Sequence, residues 1–325
     1  MMPFASRQNG GMQRNAAIVL GLAIAVLAAV IGFVLLSGQQ PPSPSPSASS
    51  SPSLPPSAEP SASASPSLNA ELLDRRWTVL YVGTDVNEPR ASRNEPVNTD
   101  ALMLVSLSAD QTDLTLVSLP RDTVDVPLRD GTSWGGKING LYREQGIDVL
   151  RGAMETLYGV PIDAHVMLDM DDFARLVDAV DGVEVSPPTA IVDPIVSLDL
   201  PAGEQELDGP MTLGYVRTRI DQDYGRMGRQ QEVVLALLDR LLDPATDLDL
   251  RAALDSFDSL ETDLPLDDLP TLLELARRAT DAKVNPVLVR PPLITFEGDR
   301  GDGRGYVLEP DVEAIRDEVQ SLIDD

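Results

Sequence analysis

Arg217, Arg219, Arg226 and Arg229, with Gln230 and Gln231 directly behind, set four guanidinium groups and two amides inside the stretch from Tyr215 to Gln231. The chain carries a formal net charge of −27, so such a concentration of cation stands out against an acidic background. Arginine's planar fork matches phosphate oxygens in a way that lysine's point charge does not. The ordinary alternative is a solvated basic face that pairs with nearby carboxylates. Arg217 and Arg219, two apart, would point to one side of an extended chain. Arg226 and Gln230, four apart, would share a face in the first turns of a helix, where free N–H groups and the dipole favour an anion. Gly225 and Gly228 are expected to let a head group approach the backbone closely.

A second set of candidate groups lies upstream. Ala101 to Leu107 and Leu114 to Leu119 read as strands joined by a short polar turn, an antiparallel hairpin. Symmetric pairing about the turn places Asp100 almost opposite Arg121 and Asp122. Asp85 ends the preceding strand, where ligand-binding loops gather. Asp85 and Asp100 together would suit Mg²⁺ (or Mn²⁺), which takes one or two carboxylates along with phosphate oxygens. Alone, each aspartate is an ordinary turn or capping residue; convergence beside arginine favours the metal. Lys137, one of two lysines, is either an exposed loop residue or a further phosphate ligand. His165, the only histidine, sits mid-strand and reads as structural. No Ser-His-Asp set, Gly-x-Ser-x-Gly turn or Walker-type loop is present. The absence of cysteine removes disulfides, thiolate metal sites and cysteine nucleophiles. The acidic balance argues against nucleic acid as a partner.

The elements that must position these groups occupy the later part of the 325 residues. Ala16 to Leu36 is an unbroken apolar run, at ~1.5 Å per residue about 30 Å long, enough to cross a bilayer. Arg7 and Arg14 precede it and no basic residue follows before Arg75, which orients residues 1–15 to the cytoplasm. A cleavable signal peptide is the rival, but the run exceeds a usual h-region. Residues 37–70, rich in Pro, Ser and Ala, read as a solvated tether. Residues 71–325 are expected to form one extracellular domain. Strands at Thr78–Val82, His165–Leu168, Val183–Val185 and Val287–Val289 alternate with helices at Ile147–Tyr158, Asp171–Val180, Arg226–Leu242, Leu269–Ala279 and Pro310–Ile323. Interleaved elements with an antiparallel hairpin predict an α/β fold: a mixed parallel and antiparallel sheet with helices on both faces.

Gly83-Thr-Asp85, Asn98-Thr-Asp100, Ser118-Leu-Pro-Arg-Asp122, Lys137-Ile-Asn139, Leu207-Asp-Gly209, Tyr215-Val-Arg-Thr-Arg219 and Asp223-Tyr-Gly-Arg226 through Arg229-Gln-Gln231 stand in that order. With them the chain resembles the LytR–CpsA–Psr family of cell-wall glycopolymer transferases, over about Trp77 to Leu242 and more loosely to Ile323. The resemblance implies transfer of a glycopolymer, such as a teichoic acid, with its phosphate from a polyprenyl-pyrophosphate carrier to a peptidoglycan hydroxyl, with a possible pyrophosphatase side activity. It implies Asp85 and Asp100 as metal ligands, and Arg121, Lys137, Arg217, Arg219, Arg226 and Gln230 around the diphosphate. Asp223 would be the base, with Arg121 and Arg217 assisting the chemistry. The alternative is a non-catalytic regulator that binds polyprenyl pyrophosphate. The family usually has arginine where this chain has Asn98 and threonine where it has Ala101; Arg93 is the expected substitute for the missing cation.

Overall fold

The computed structural model of the chain describes residues 68–242, 260–265, 268–279 and 282–323. The expected cytoplasmic tail, membrane span and nearly all of the tether lie outside the described residues. Among these, no helix is long and apolar enough to cross a membrane. The folded part starts slightly earlier than the sequence implies: Asn69 caps a short helix α1 (Ala70–Leu73), and its N–H donates to Thr271 Oγ1 at 2.8 Å.

The centre is a six-stranded sheet. β1 (Trp77–Thr84) pairs antiparallel with β2 (Thr99–Leu107), after a short helix α2 (Glu88–Ser92). β2 pairs antiparallel with β3 (Asp113–Ser118), the expected hairpin. The small strands β4 (Val126–Pro127) and β5 (Ser133–Trp134) lead through a 3₁₀ turn to α3 (Leu141–Gln145) and α4 (Ile147–Tyr158). β6 (Ala164–Leu168) runs parallel to β1, followed by α5 (Met170–Ala179). Three-residue strands β7 (Val183–Val185), β8 (Ile191–Asp193), β9 (Leu198–Leu200) and β10 (Gln205–Leu207) form two small ribbons before α6 (Gly209–Arg217) and α7 (Gln222–Leu242). β11 (Glu261–Thr262) lies at one edge beside β6. After α8 (Leu269–Arg278), β12 (Lys283–Leu288) closes the other edge parallel to β3. A hairpin of β13 (Ile294–Asp299) and β14 (Tyr306–Pro310) precedes α9 (Val312–Ile323).

Alternation along the strands builds two cores, because successive side chains face opposite sides of a sheet. Val79, Met103, Val105, Leu114, Leu116 and Val166 face α5, α6, α7 and α8. Leu80, Val82, Leu102, Leu104, Val117 and Met167 face α3, α4 and α9. Helices therefore cover both faces, as the sequence predicts. Several helix ends are written locally. Gly159, left-handed at φ 71°, ends α4. Asp208 accepts from Met211 N at 2.9 Å and caps α6, with Pro210 in the first turn.

Candidate active site

The site gathers where β1, β2 and β3 meet the start of α7, and a slip in the sheet register makes it possible. Gly83 pairs with Ala101 but Thr84 pairs with Thr99, which leaves Asp100 as the extra residue of a β-bulge. In a regular strand Asp100 would share the face of Leu102 and Leu104. Instead it lines a cleft on the opposite face, together with Tyr81 and Val234. As the hairpin register predicts, Arg121 Nη1 donates to Asp100 Oδ1.

α7 supplies the other half. Arg226 is buried and donates from Nη1 to the Asp100 carbonyl at 2.8 Å. Its Nη2 stands 2.8 Å from Asp223 Oδ1, and Arg219 Nη2 stands 3.5 Å from the same oxygen. Neither contact is aligned as a hydrogen bond, so both Asp223 oxygens lack a donor. The buried Nε atoms of Arg226 and Arg121 also have no hydrogen-bond partner. Buried polar groups are nearly always satisfied, so orphaned N–H groups on two arginines that both bond Asp100 offer a place for an acceptor. Burial and the nearby Arg226 and Arg121 pull the Arg219 pKa down against Asp223 and Asp100. Burial acts in the same sense on Arg121, but Asp100, with Asp122 and Asp223, overcomes it and raises that group. Five cations, Arg121, Lys137, Arg217, Arg219 and Arg226, face three carboxylates, Asp100, Asp122 and Asp223, in a strongly acidic chain.

Behind this charged mouth runs a narrow cleft with a cavity volume of about 60 Å³. Arg217, Arg226, Gln230 and Asp100 stand among its lining residues; Tyr81, Leu168, Phe173, Leu213, Val216 and Val234 make its apolar walls. Burial pushes the Tyr81 phenol up to about 12, so it stays neutral. Gly83 keeps the floor low: a Cβ there would stand 3.0 Å from the Ala101 Cβ. Sequence alone could not locate this cleft, because six separated elements, β1, β2, β6, α5, α6 and α7, line it.

Several expectations need correction. Arg217 and Arg219 do not share an extended chain: Arg217 ends α6 and lines the cleft, whereas Arg219 lies past the Thr218 cap and faces Asp223. α7 begins at Gln222, not Arg226, so the free N–H groups of its first turn lie a turn earlier than expected. Gly225 serves packing, since a Cβ there would meet the Asp221 carboxylate at 2.1 Å, and Gly228 lines a different surface from Arg226. Lys137 is held by Asp122 Oδ1 at 2.9 Å. Arg93 does not replace the missing cation: it is exposed and bound to Glu95. Arg90 and Arg143 stand there instead. Arg90 Nη2 lies 2.9 Å from Asp85 Oδ2, and Arg143 Nη1 donates to Asn98 Oδ1 at 2.6 Å.

The carboxylates offer only oxygen donors, the set a hard cation prefers. Asp100 has no protein partner on Oδ2 among the described residues. Asp85 is buried; its oxygens accept from Asn98 N at 2.7 Å and Asn98 Nδ2 at 3.0 Å, and Oδ2 forms an ion pair with Arg90. Asp100 keeps one oxygen open to a cation, whereas both Asp85 oxygens are engaged by Asn98 and Arg90, and among the described residues no group of three or more metal-ligating side chains forms. His165 lies on the buried side of β6 beside Asp263, away from these groups.

A charged mouth on an apolar cleft in a mixed sheet is an arrangement that would suit an amphiphilic anion. The LytR_cpsA_psr family model matches residues 53–311, and the chain belongs to that family. It is similar to TagV of Bacillus subtilis, named a polyisoprenyl-teichoic acid–peptidoglycan teichoic acid transferase, at 26% identity over 79% of this chain and 68% of the relative. TagU of Halalkalibacterium halodurans, with the same kind of name, is 30% identical over 74% of this chain and 76% of its own length. LcpB of Corynebacterium glutamicum, a probable cell wall biosynthesis protein, is 39% identical over 46% of this chain; the match spans 35% of LcpB. The crystal structure of B. subtilis TagV superposes with a TM-score of 0.63 at 26% identity, covering 77% of this chain and 98% of that one. TagT with bound octaprenyl pyrophosphate shares the fold, with a TM-score of 0.56 at 22% identity over 78% of this chain and 92% of that one.

Proposed function

We propose that the chain transfers a glycopolymer phosphate from a polyprenyl-pyrophosphate carrier to a hydroxyl of peptidoglycan, outside the cytoplasmic membrane. One observation carries this reading: Arg226, whose buried Nε lacks a hydrogen-bond partner, lines an apolar cleft beside Asp100. That combination suits a ligand with a diphosphate head and a hydrocarbon tail. The names of TagV and TagU support the same class of reaction.

The tail lies between the sheet and α5, α6 and α7. Arg121, Arg217, Arg219 and Arg226 grip the diphosphate, Gln230 lines the junction of head and tail, and Lys137 reaches it from its Asp122 contact. The acceptor oxygen bonds to the phosphorus that bears the polymer, the bridging P–O bond breaks, and polyprenyl phosphate leaves with the electron pair. Asp223, whose oxygens take no hydrogen-bond donor, receives the acceptor proton and passes it to solvent. Water in place of the acceptor gives the side pyrophosphatase reaction. Such chemistry gains mainly from positioning and from neutralising charge on phosphoryl oxygens. A Mg²⁺ or Mn²⁺ ion held by Asp100, with Asp85 second, would add to that neutralisation.

Mass spectrometry of lipid bound to the purified chain tests the ligand class, with a sugar-bearing prenyl pyrophosphate expected. Asp100→Ala should abolish metal-dependent release of prenyl phosphate while the protein stays folded. Unchanged turnover would remove the site from the reaction. Lipid that co-purifies intact and resists cleavage with metal and acceptor present would identify a binding regulator instead.

A further inference from the structure

The C-terminal hairpin brings another set of polar groups to the rim of the diphosphate site. β14 is tied to the segment that carries Arg121: Leu308 N donates to the Asp122 carbonyl at 3.1 Å, and Val124 N donates to the Leu308 carbonyl at 2.9 Å. Two residues before Leu308, the Tyr306 hydroxyl donates to Glu297 Oε1 on the facing strand. The Tyr224 hydroxyl of α7 donates to Glu297 Oε2 at 3.2 Å. Tyr224 directly follows Asp223 and stands two residues before Arg226. Glu297 is therefore an exposed carboxylate fixed by two phenols from different elements, with no ion pair among the described residues.

A fixed anion at this rim repels phosphate, so it does not serve the donor. It can accept hydrogen bonds from neutral hydroxyl groups, and Tyr306, 50% exposed, offers a ring face beside it. That pairing of carboxylate and aromatic ring suits a saccharide.

We propose that Glu297, with Tyr224 and Tyr306, positions the acceptor saccharide so that its hydroxyl faces Asp223 and the diphosphate. Glu297 does not take the proton; it fixes the sugar through a neighbouring hydroxyl. Burial and then Glu297 hold the Tyr306 phenol at about 12, and burial with Glu297 raises the Tyr224 phenol as well, so both remain donors at neutral pH. The backbone bonds of Leu308 to Asp122 and Val124, and the position of Tyr224 next to Asp223, are what place the trio beside the phosphoryl site.

This assignment rests on the transferase reading, and its test separates the two. The full chain is given a geranyl-pyrophosphate-linked N-acetylglucosamine donor and soluble peptidoglycan glycan fragments as acceptor. Glu297→Gln should raise the acceptor KM about tenfold to a hundredfold, the loss of one hydrogen bond to a charged group. Tyr306→Phe should raise it a few-fold, and as a change at an exposed ring it keeps the test decisive if Glu297→Gln fails to fold. The donor Kd, measured by calorimetry, should stay within about twofold in both. An unchanged acceptor KM, or a donor Kd that weakens in step with it, would overturn the acceptor assignment. Failure of the unsubstituted chain to bind the donor would overturn the transferase reading and this assignment with it.

Discussion

Arg226 and Arg229 stand three residues apart on α7, both buried, and have opposite fates. Arg229 is fully occupied: Nε donates to the Tyr215 carbonyl at 2.9 Å, Nη2 to the Thr218 carbonyl at 2.6 Å, and Nη1 to Asp221 Oδ2 at 2.7 Å. It closes the C-terminal end of α6, whose last carbonyls have no helical partner. Arg226 keeps a buried Nε without an acceptor at the cleft mouth. Residue type and burial are equal, so hydrogen-bond satisfaction is what separates scaffold from site. Gln231 and Gln230 repeat the contrast more weakly. Gln231 ties α7 to Ser118 and Val287 of the sheet, while Gln230 makes one long bond to the Val216 carbonyl and lines the cleft.

Substituting each arginine in turn should separate their roles most clearly. Arg226→Gln should lower turnover by about two to three orders of magnitude, the usual loss when a fixed donor to a transition-state oxyanion is removed. Arg229→Gln should cost about 3 kcal/mol of stability in urea unfolding, because two buried carbonyls and Asp221 lose their donors. Equal losses of stability and activity in the two variants would dissolve the distinction. Lys137→Ala is expected to weaken prenyl-pyrophosphate binding by about three- to tenfold, because Asp122 already shares its charge. Arg93→Ala should change stability by less than about 0.5 kcal/mol and leave turnover alone, since the Arg93–Glu95 pair is exposed.

The smallest effect concerns Arg277 and Arg278, which both bind Glu274 one turn back on α8. Their hydrogen bonds hold the Glu274 carboxyl at about 2 instead of 4.5. A depressed folded-state pKa contributes stability above 4.5 and loses it as pH falls through about 2. Amide exchange at the end of α8 should therefore quicken slightly across that interval, and Glu274→Gln should remove the pH dependence.

Much of the fold was legible because its signals are local. Gly159 stops α4, Asp208 with Pro210 starts α6, and the turn after Leu107 sets the hairpin that delivers Arg121 to Asp100. What escaped depends on distant or one-residue events. The bulge at Asp100 turns on a register slip against β1, and no residue type at that position announces it. The extra start of α7 at Gln222 follows from a left-handed residue, φ 71°, that is not glycine. Asp85 looked like half of a metal pair, but Arg90 comes from a helix too short to show periodicity. The hairpin of β13 and β14 had no counterpart in the sequence reading; only its last residue, Pro310, falls within the helix expected at Pro310–Ile323. Glu297 could have been flagged only by knowing that Tyr224 and Tyr306 converge on it.

The parallel partner of β3 comes from far along the chain: Lys283 to Leu288 lie beside Asp113 to Ser118. During synthesis, which proceeds from the N-terminus, β3 has an unpaired edge until more than half of the remaining chain has emerged. Such an open row of amides invites pairing with another copy, and closing so long a loop is slow. Nascent chains halted before Lys283 should therefore aggregate, whereas loss of the late strand's partner contacts in the finished protein should show first as slow, concentration-dependent refolding.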